Sequence, residues 1–233
     1  MIVKLLASLI LAMAASCVNA ATYVYTGNAY TNLIDYTAPC SAGPCANYST
    51  SMRVTGSIRT ALPLAPNLVN QDITALIASY TFSDGVNTIA SSAANARIYY
   101  PFKVSTDASG QITAASVLLT IWESGTSPHT TSDRWSNIAV GSGSGGYNNL
   151  TCTTIGVSSA GAADSCTVGG ALDGDVSASL AMTPGSWASP SAAPVPTLNQ
   201  CGLGLVILGV TLGFGMFSCL QQTPVLGGRG KVR

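Results

Sequence analysis

Arg97-Ile98-Tyr99-Tyr100-Pro101-Phe102-Lys103-Val104, then Asp107-Ala108-Ser109-Gly110, then the run from Ile112 to Trp122 is the stretch that decides the fold. Both arms are rich in β-branched and aromatic residues, which suit a pleated, half-buried surface. The centre offers an Asp to open a turn and a Gly for positive φ. In the second arm Val117, Leu119 and Ile121 recur at every second position, so one face would meet a core. The stretch predicts an antiparallel hairpin.

The same period extends outward. Met52, Val54 and Ile58 fall on one face of a strand, with Arg53, Thr55, Ser57 and Arg59 on the other. Leu76, Ala78, Tyr80 and Phe82 share a face, and Ser83-Asp84-Gly85 follows as a turn. No amphipathic helical run interrupts the series. The expected fold is all-β, an antiparallel, sandwich-like arrangement. Ala139 to Gly146 is a Gly/Ser-rich loop on this pattern, and Ser186 to Pro196, rich in Ser, Ala and Pro, is a linker.

Only 8% of the 233 residues are charged, against about 25% in typical soluble domains. Such a composition suits an extracellular β domain and not a charged helical protein of the cytosol. Between Ala21 and Pro194 stand five basic and nine acidic residues, a net of −4. This balance gives no electrostatic reason to bind nucleic acid.

Both ends carry the marks of targeting segments. Lys4, the apolar run Leu5 to Ala15 and the small residues of Val18-Asn19-Ala20 form the three parts of a secretory signal, with cleavage expected after Ala20. Ala14-Ala15-Ser16-Cys17 offers lipidation at Cys17 as an alternative. Gly202 to Leu220 is an uncharged run, close to the roughly 20 residues that cross a bilayer core as a helix. Gly209 and Gly213 form a small-xxx-small pair within it. Arg229, Lys231 and Arg233 then predict a cytoplasmic C-terminus.

Val195-Pro196-Thr197-Leu198, followed by Cys201-Gly202, the apolar run and the basic end, resembles the IPTL-CTERM variant of the bacterial PEP-CTERM sorting signals. The tail departs from the family pattern at Cys201, where Trp is usual, and in the interval Gln221 to Gly228 before the basic residues. The resemblance implies an exosortase-type membrane peptidase as partner. It also implies transient residence in the inner membrane and delivery to the cell surface or extracellular matrix of a Gram-negative bacterium. Val195, Pro196, Thr197, Leu198 and Gly202 would be its sorting residues. Met52 to Ser57, Pro63 to Leu68, Tyr80 to Gly85 and Ser105 to Gly110 resemble an ectodomain recurrent among such cargo proteins. That likeness implies no activity.

The expected organisation is a signal peptide over 1–20, a β-rich domain over 21–187 and a linker over 188–194. A motif and membrane helix over 195–220 and a basic tail over 221–233 follow. Export makes disulfides the natural reading of Cys40, Cys45, Cys152 and Cys166; four cysteines allow three pairings, and the local one, Cys40 with Cys45 and Cys152 with Cys166, is preferred. A metal site would need closer Cys spacings and more His.

Chemistry is sparse. His129, the sole histidine, follows Pro128 in a polar stretch and reads as a solvated loop residue. Gly141-Ser142-Gly143 lacks the nucleophile-elbow spacing. Glu123, the sole glutamate, stands beside Trp122, but a glycosidase needs a second placed carboxylate. Asp173-Gly174-Asp175 reads as a turn in preference to a calcium loop. Tyr23, Tyr25, Tyr30, Tyr36, Tyr99, Tyr100, Trp122 and Trp135 are the aromatics that could stack on sugar rings, with Trp122 and Trp135 the leading candidates. The leading expectation is a non-enzymatic surface or matrix protein without cofactor or metal. A carbohydrate-binding or adhesive module, with exopolysaccharide as partner, comes second, and a glycan-active hydrolase third.

Overall fold

The computed structural model describes residues 20–37, 46–170 and 175–192. Signal, sorting motif and apolar run lie outside these residues, as do Cys40, Cys45, Asp173 and Gly174. No helix among the described residues is long and apolar enough to cross a membrane.

The described chain is all-β and every strand pairing is antiparallel. In chain order the strands are β1 (Ala21–Thr26), β2 (Asn32–Ile34), β3 (Thr55–Thr60), β4 (Gln71–Asp72), β5 (Ile77–Ser83), β6 (Thr88–Ala90) and β7 (Ala96–Thr106). Then come β8 (Ile112–Trp122), β9 (Arg134–Val140), β10 (Ser144–Gly156), β11 (Ser165–Gly169), β12 (Ser177–Ala181) and β13 (Ser186–Ala192). A five-stranded sheet runs β13-β1-β3-β5-β6. An eight-stranded sheet runs β2-β12-β10-β9-β8-β7-β4, with β11 on β10.

Alternation builds the core between the sheets. Tyr23, Ile58, Phe82 and Ile89 from the first sheet join Phe102, Val104, Val117, Leu119, Ile138 and Val140 from the second in one buried cluster. Phe102 meets Tyr80 and Phe82 across the gap, ring centroids 5.6 and 6.2 Å apart. Fully burying such side chains contributes about 1.5–3 kcal/mol each. Gly56 lies under Phe82, where a Cβ would stand 2.2 Å from the ring, so the Phe sits flat on the neighbouring backbone.

The β7–β8 hairpin forms as its residues dictate. Asp107 Oδ1 accepts from the Ser109 and Gln111 amides, and Gly110 turns the chain at φ 83°. Val117 and Leu119 are buried, and Ile121 packs at the margin of the core. The turn after β5 is built alike: Asp84 Oδ1 accepts from Val86 and Asn87, with Gly85 at φ 96°.

Three expectations need correction. Leu76 does not share the Tyr80–Phe82 face: it lies in a 3₁₀ turn (Thr74–Leu76) and is exposed. The Gly/Ser loop shrinks to a turn at 141–143, because Ser144, Gly145 and Gly146 begin β10. A Cβ at Gly145 would stand 2.0 Å from the Ser179 carbonyl oxygen, and one at Gly146 2.3 Å from that of Asn137. Those glycines serve close strand approach. The linker over 188–194 is strand as far as Ala192, since β13 pairs with β1 from Thr26↔Ser186 to Ala21↔Ala192.

Candidate functional site

The face of the eight-stranded sheet turned away from the core carries two aromatic groups. At one end Trp122 of β8 stands opposite Trp135 of β9. They pack with Leu150, Cys152, Cys166 and Val176 in a second buried cluster. Cys152 and Cys166 are joined as a disulfide, with Cα atoms 5.6 Å apart. The segment between them folds back over the sheet. Ser158 Oγ donates to the Ile98 carbonyl, the Ala160 amide to that of Tyr99, and Arg97 Nε to that of Ala163.

Asp164 locks this cover. His129 Nδ1 lies 2.7 Å from its Oδ2, the His129 amide donates to its Oδ1 at 2.8 Å, and Trp122 Nε1 donates to its carbonyl at 2.9 Å. The Arg97 guanidinium stands 3.5 Å from the same carboxylate. Burial raises the Asp164 carboxyl, but the bonds from His129 and Ser127 outweigh it and hold the group below the usual carboxylate range. The His129 ring stacks flat on Trp122, centroids 4.2 Å apart. His129 is therefore not the solvated loop residue its neighbours suggest, and it is buried. Among the described residues no hydroxyl bonds to its ring.

Trp122 and Trp135 are 4% and 7% exposed. Neither presents a ring face to a sugar, because one is covered by His129 and both are enclosed by the disulfide segment. They are core residues of this second cluster.

The buried and part-buried carboxylates are also engaged within the fold. Asp84 is fully buried and accepts from Tyr48 Oη at 2.6 Å besides the two turn amides. Burial still leaves its carboxyl above the usual range. Burial also raises Glu123, helped by the Asp84 charge and opposed by a bond from Ser136. Asp84, fully buried, offers a substrate no accessible oxygen. Asp175 is buried beside Arg134 at 3.7 Å. Among the described residues no cluster of three or more His, Cys, Asp or Glu side chains is placed to hold a metal ion.

The other end of the same face is open. A trough of about 420 Å³ crosses β7, β8 and β9 to the turn at 141–143. Leu118 and Ala139 are register partners on its floor, Tyr100 pairs with Leu118, and Lys103 pairs with Ser116 beside them. Tyr100 is 51% exposed. Its position comes from the backbone: the β7–β8 register slips on both sides of Tyr100-Pro101. Such bulges re-aim side chains, and Pro, which has no N–H to donate, is at home in one. Tyr99 meets Tyr100 edge-on at 4.9 Å, and its own hydroxyl donates to the Thr167 carbonyl. β11 thus anchors Tyr99, the ring that braces Tyr100 at the edge of the trough. Sequence reasoning weighed Tyr100 only as one aromatic among many. The Pro inside a strand pattern was the signal that could have singled it out.

The chain matches no protein-family model, and comparisons with curated proteins and with solved structures return no match.

Proposed function

We propose that the chain is a non-enzymatic surface or extracellular-matrix protein, exported and sorted through its C-terminal signal. In this reading a sandwich-like ectodomain stands between a cleaved signal peptide and a single C-terminal membrane helix. An exosortase-type membrane peptidase is the processing partner. The observation that supports it is the Cys152–Cys166 disulfide, sealed inside a cluster of two tryptophans. Disulfides persist in oxidising compartments and are rare in the cytosol. The same cluster spends the sole histidine, and the interior spends Asp84, on structure.

Intact mass of the surface fraction tests the proposal. The expected species begins at Ala21 and lacks the apolar run of Gly202 to Leu220. A species that continues through Arg233 would identify a plain C-terminal anchor and overturn the sorting reading. Changing Pro196 and Thr197 to Ala should leave the full-length chain in the inner membrane.

The second reading, a carbohydrate-binding module, is favoured by the open trough and not by Trp122 and Trp135, whose rings are buried.

A further inference from the structure

We propose that the trough beside Tyr100 binds a saccharide that carries a carboxylate, such as a chain of uronic acids. Four observations support this. Tyr100 offers a half-exposed ring braced by Tyr99, so little motion is lost on stacking against a sugar. The floor of Leu118 and Ala139 is apolar and low, which suits the C–H face of a pyranose ring. Ser116 and Ser142 line the trough and supply hydroxyls at the scale of sugar hydroxyls.

The fourth observation is Lys103, which also lines the trough. Of the other described cations, Arg97 and Arg134 are committed to Asp164 and Asp175, and Arg53 and Arg59 are not in the trough lining. Lys103 has no ion-pair partner among the described residues, although Asp72 is its cross-strand neighbour. The Asp72 carboxylate instead accepts from the Thr74 amide. An ammonium beside a sugar-sized trough selects a carboxylate. The domain's net −4 opposes a polyanion only weakly, because charges beyond a Debye length of about 10 Å at 0.1 M salt are screened. Asp72 lies beside Lys103 but not in the trough lining, where Lys103 is the one charged side chain among the described residues.

This site is separate from the proposed route of export. Binding by purified protein does not depend on how the tail is processed, so each idea can fail without the other.

The test is calorimetric titration of the full-length protein in detergent with three probes: a short oligogalacturonate, a neutral oligogalactoside of equal length and a polyaspartate peptide. Oligogalacturonate should bind best. Tyr100→Ala should weaken it about five- to tenfold, the worth of an aromatic contact. Lys103→Ala should weaken it roughly two- to fivefold and leave the neutral sugar unchanged, as an exposed ion pair would. Amide shift mapping of the unaltered protein should place the ligand at Tyr100, Leu118, Ala139 and Ser142, which keeps the test valid should a variant unfold. Equal binding of both sugars would overturn the carboxylate claim. Equal binding of polyaspartate would show a site that reads charge and not sugar. No binding, or shifts elsewhere, would overturn the site itself.

Discussion

The two ends of the outer sheet face start from similar material and finish differently. Each has an aromatic residue in register with its neighbour strand at β8: Trp122 with Trp135 at one end, Tyr100 with Leu118 at the other. The tryptophan end is closed by a disulfide-bonded segment and an Asp164–His129–Trp122 contact. The tyrosine end is left open, with an apolar floor of Leu118 and Ala139. Aromatic residues in a strand therefore say little about ligand contact until it is known what lies on top of them. The covering segment, 157–165, is distant in sequence from the β7–β8 hairpin, yet it bonds to Arg97 and Tyr99 of β7.

The largest difference should appear on truncating an aromatic at the closed end. Trp122→Ala removes a buried ring, its stack on His129 and its bond to the Asp164 carbonyl. The expected loss is about 3–5 kcal/mol, typical of a large aromatic cut to Ala in a core. Denaturant unfolding of the full-length protein measures it. A loss below about 1 kcal/mol would mean the cluster does not hold the cover down.

The disulfide comes next. Cys152 and Cys166 are 14 residues apart, and opening a loop of that size costs about 3 kcal/mol in the chain-entropy account. Cys152→Ser with Cys166→Ser should lower stability by that order. It should also loosen Tyr99, whose hydroxyl bonds to Thr167 within β11. Alkylation before reduction, followed by mass spectrometry, should find neither thiol free in the native protein. Labelling of either would contradict the pairing.

A third test uses pH to separate the outer lock from the interior acids. The folded Asp164 carboxyl lies below its usual range, so its contribution is complete above that range and is lost as pH falls through the depressed value. Asp164→Asn should cost about 1–2 kcal/mol at neutral pH, in the range of a hydrogen bond to a charged group. The gap to the unaltered protein should close in acid. Glu123 has the opposite sign: its raised carboxyl disfavours folding once ionised, and that cost disappears as pH falls through the raised value. Glu123→Gln should therefore stabilise at neutral pH and have no effect in acid. Parallel pH series of thermal unfolding check both signs, and equal slopes for the two variants would refute the assignment.

Legibility in the sequence followed locality. The β7–β8 hairpin was readable because its alternation and its Asp107–Gly110 turn are contiguous. The turn at Asp84 was readable for the same reason, but its burial was not. The Tyr48 hydroxyl that meets it lies 36 residues away. β13 was hidden because Ser, Ala and Pro carry no period; its pairing is set by β1, at the opposite end of the described chain. His129 was misjudged because its neighbours are polar, whereas its burial is decided by Asp164 and Trp122. The trough needed three strands and a turn to be placed together, and only Pro101 hinted at it locally.

The smallest effect should come from Tyr100→Ala, and that smallness is what the comparison requires. Half of the ring is already in water, so only part of the about 1.5–3 kcal/mol of a buried aromatic is at stake. Its edge contact with Tyr99 is the principal packing it would lose. Among the described residues its hydroxyl has no hydrogen-bond partner, so no buried polar atom is orphaned by the change. The expected loss is below about 1 kcal/mol, a small fraction of that for Trp122→Ala. Denaturant unfolding of the two variants side by side reads the contrast. A cost near 3 kcal/mol for Tyr100→Ala would make the ring a structural cover. The open end would then be a continuation of the closed one, and its trough would lose the case for a ligand. A small cost with intact unfolding cooperativity leaves Tyr100 as an aromatic that the fold braces without needing it for stability, which is the condition a stacking platform must meet.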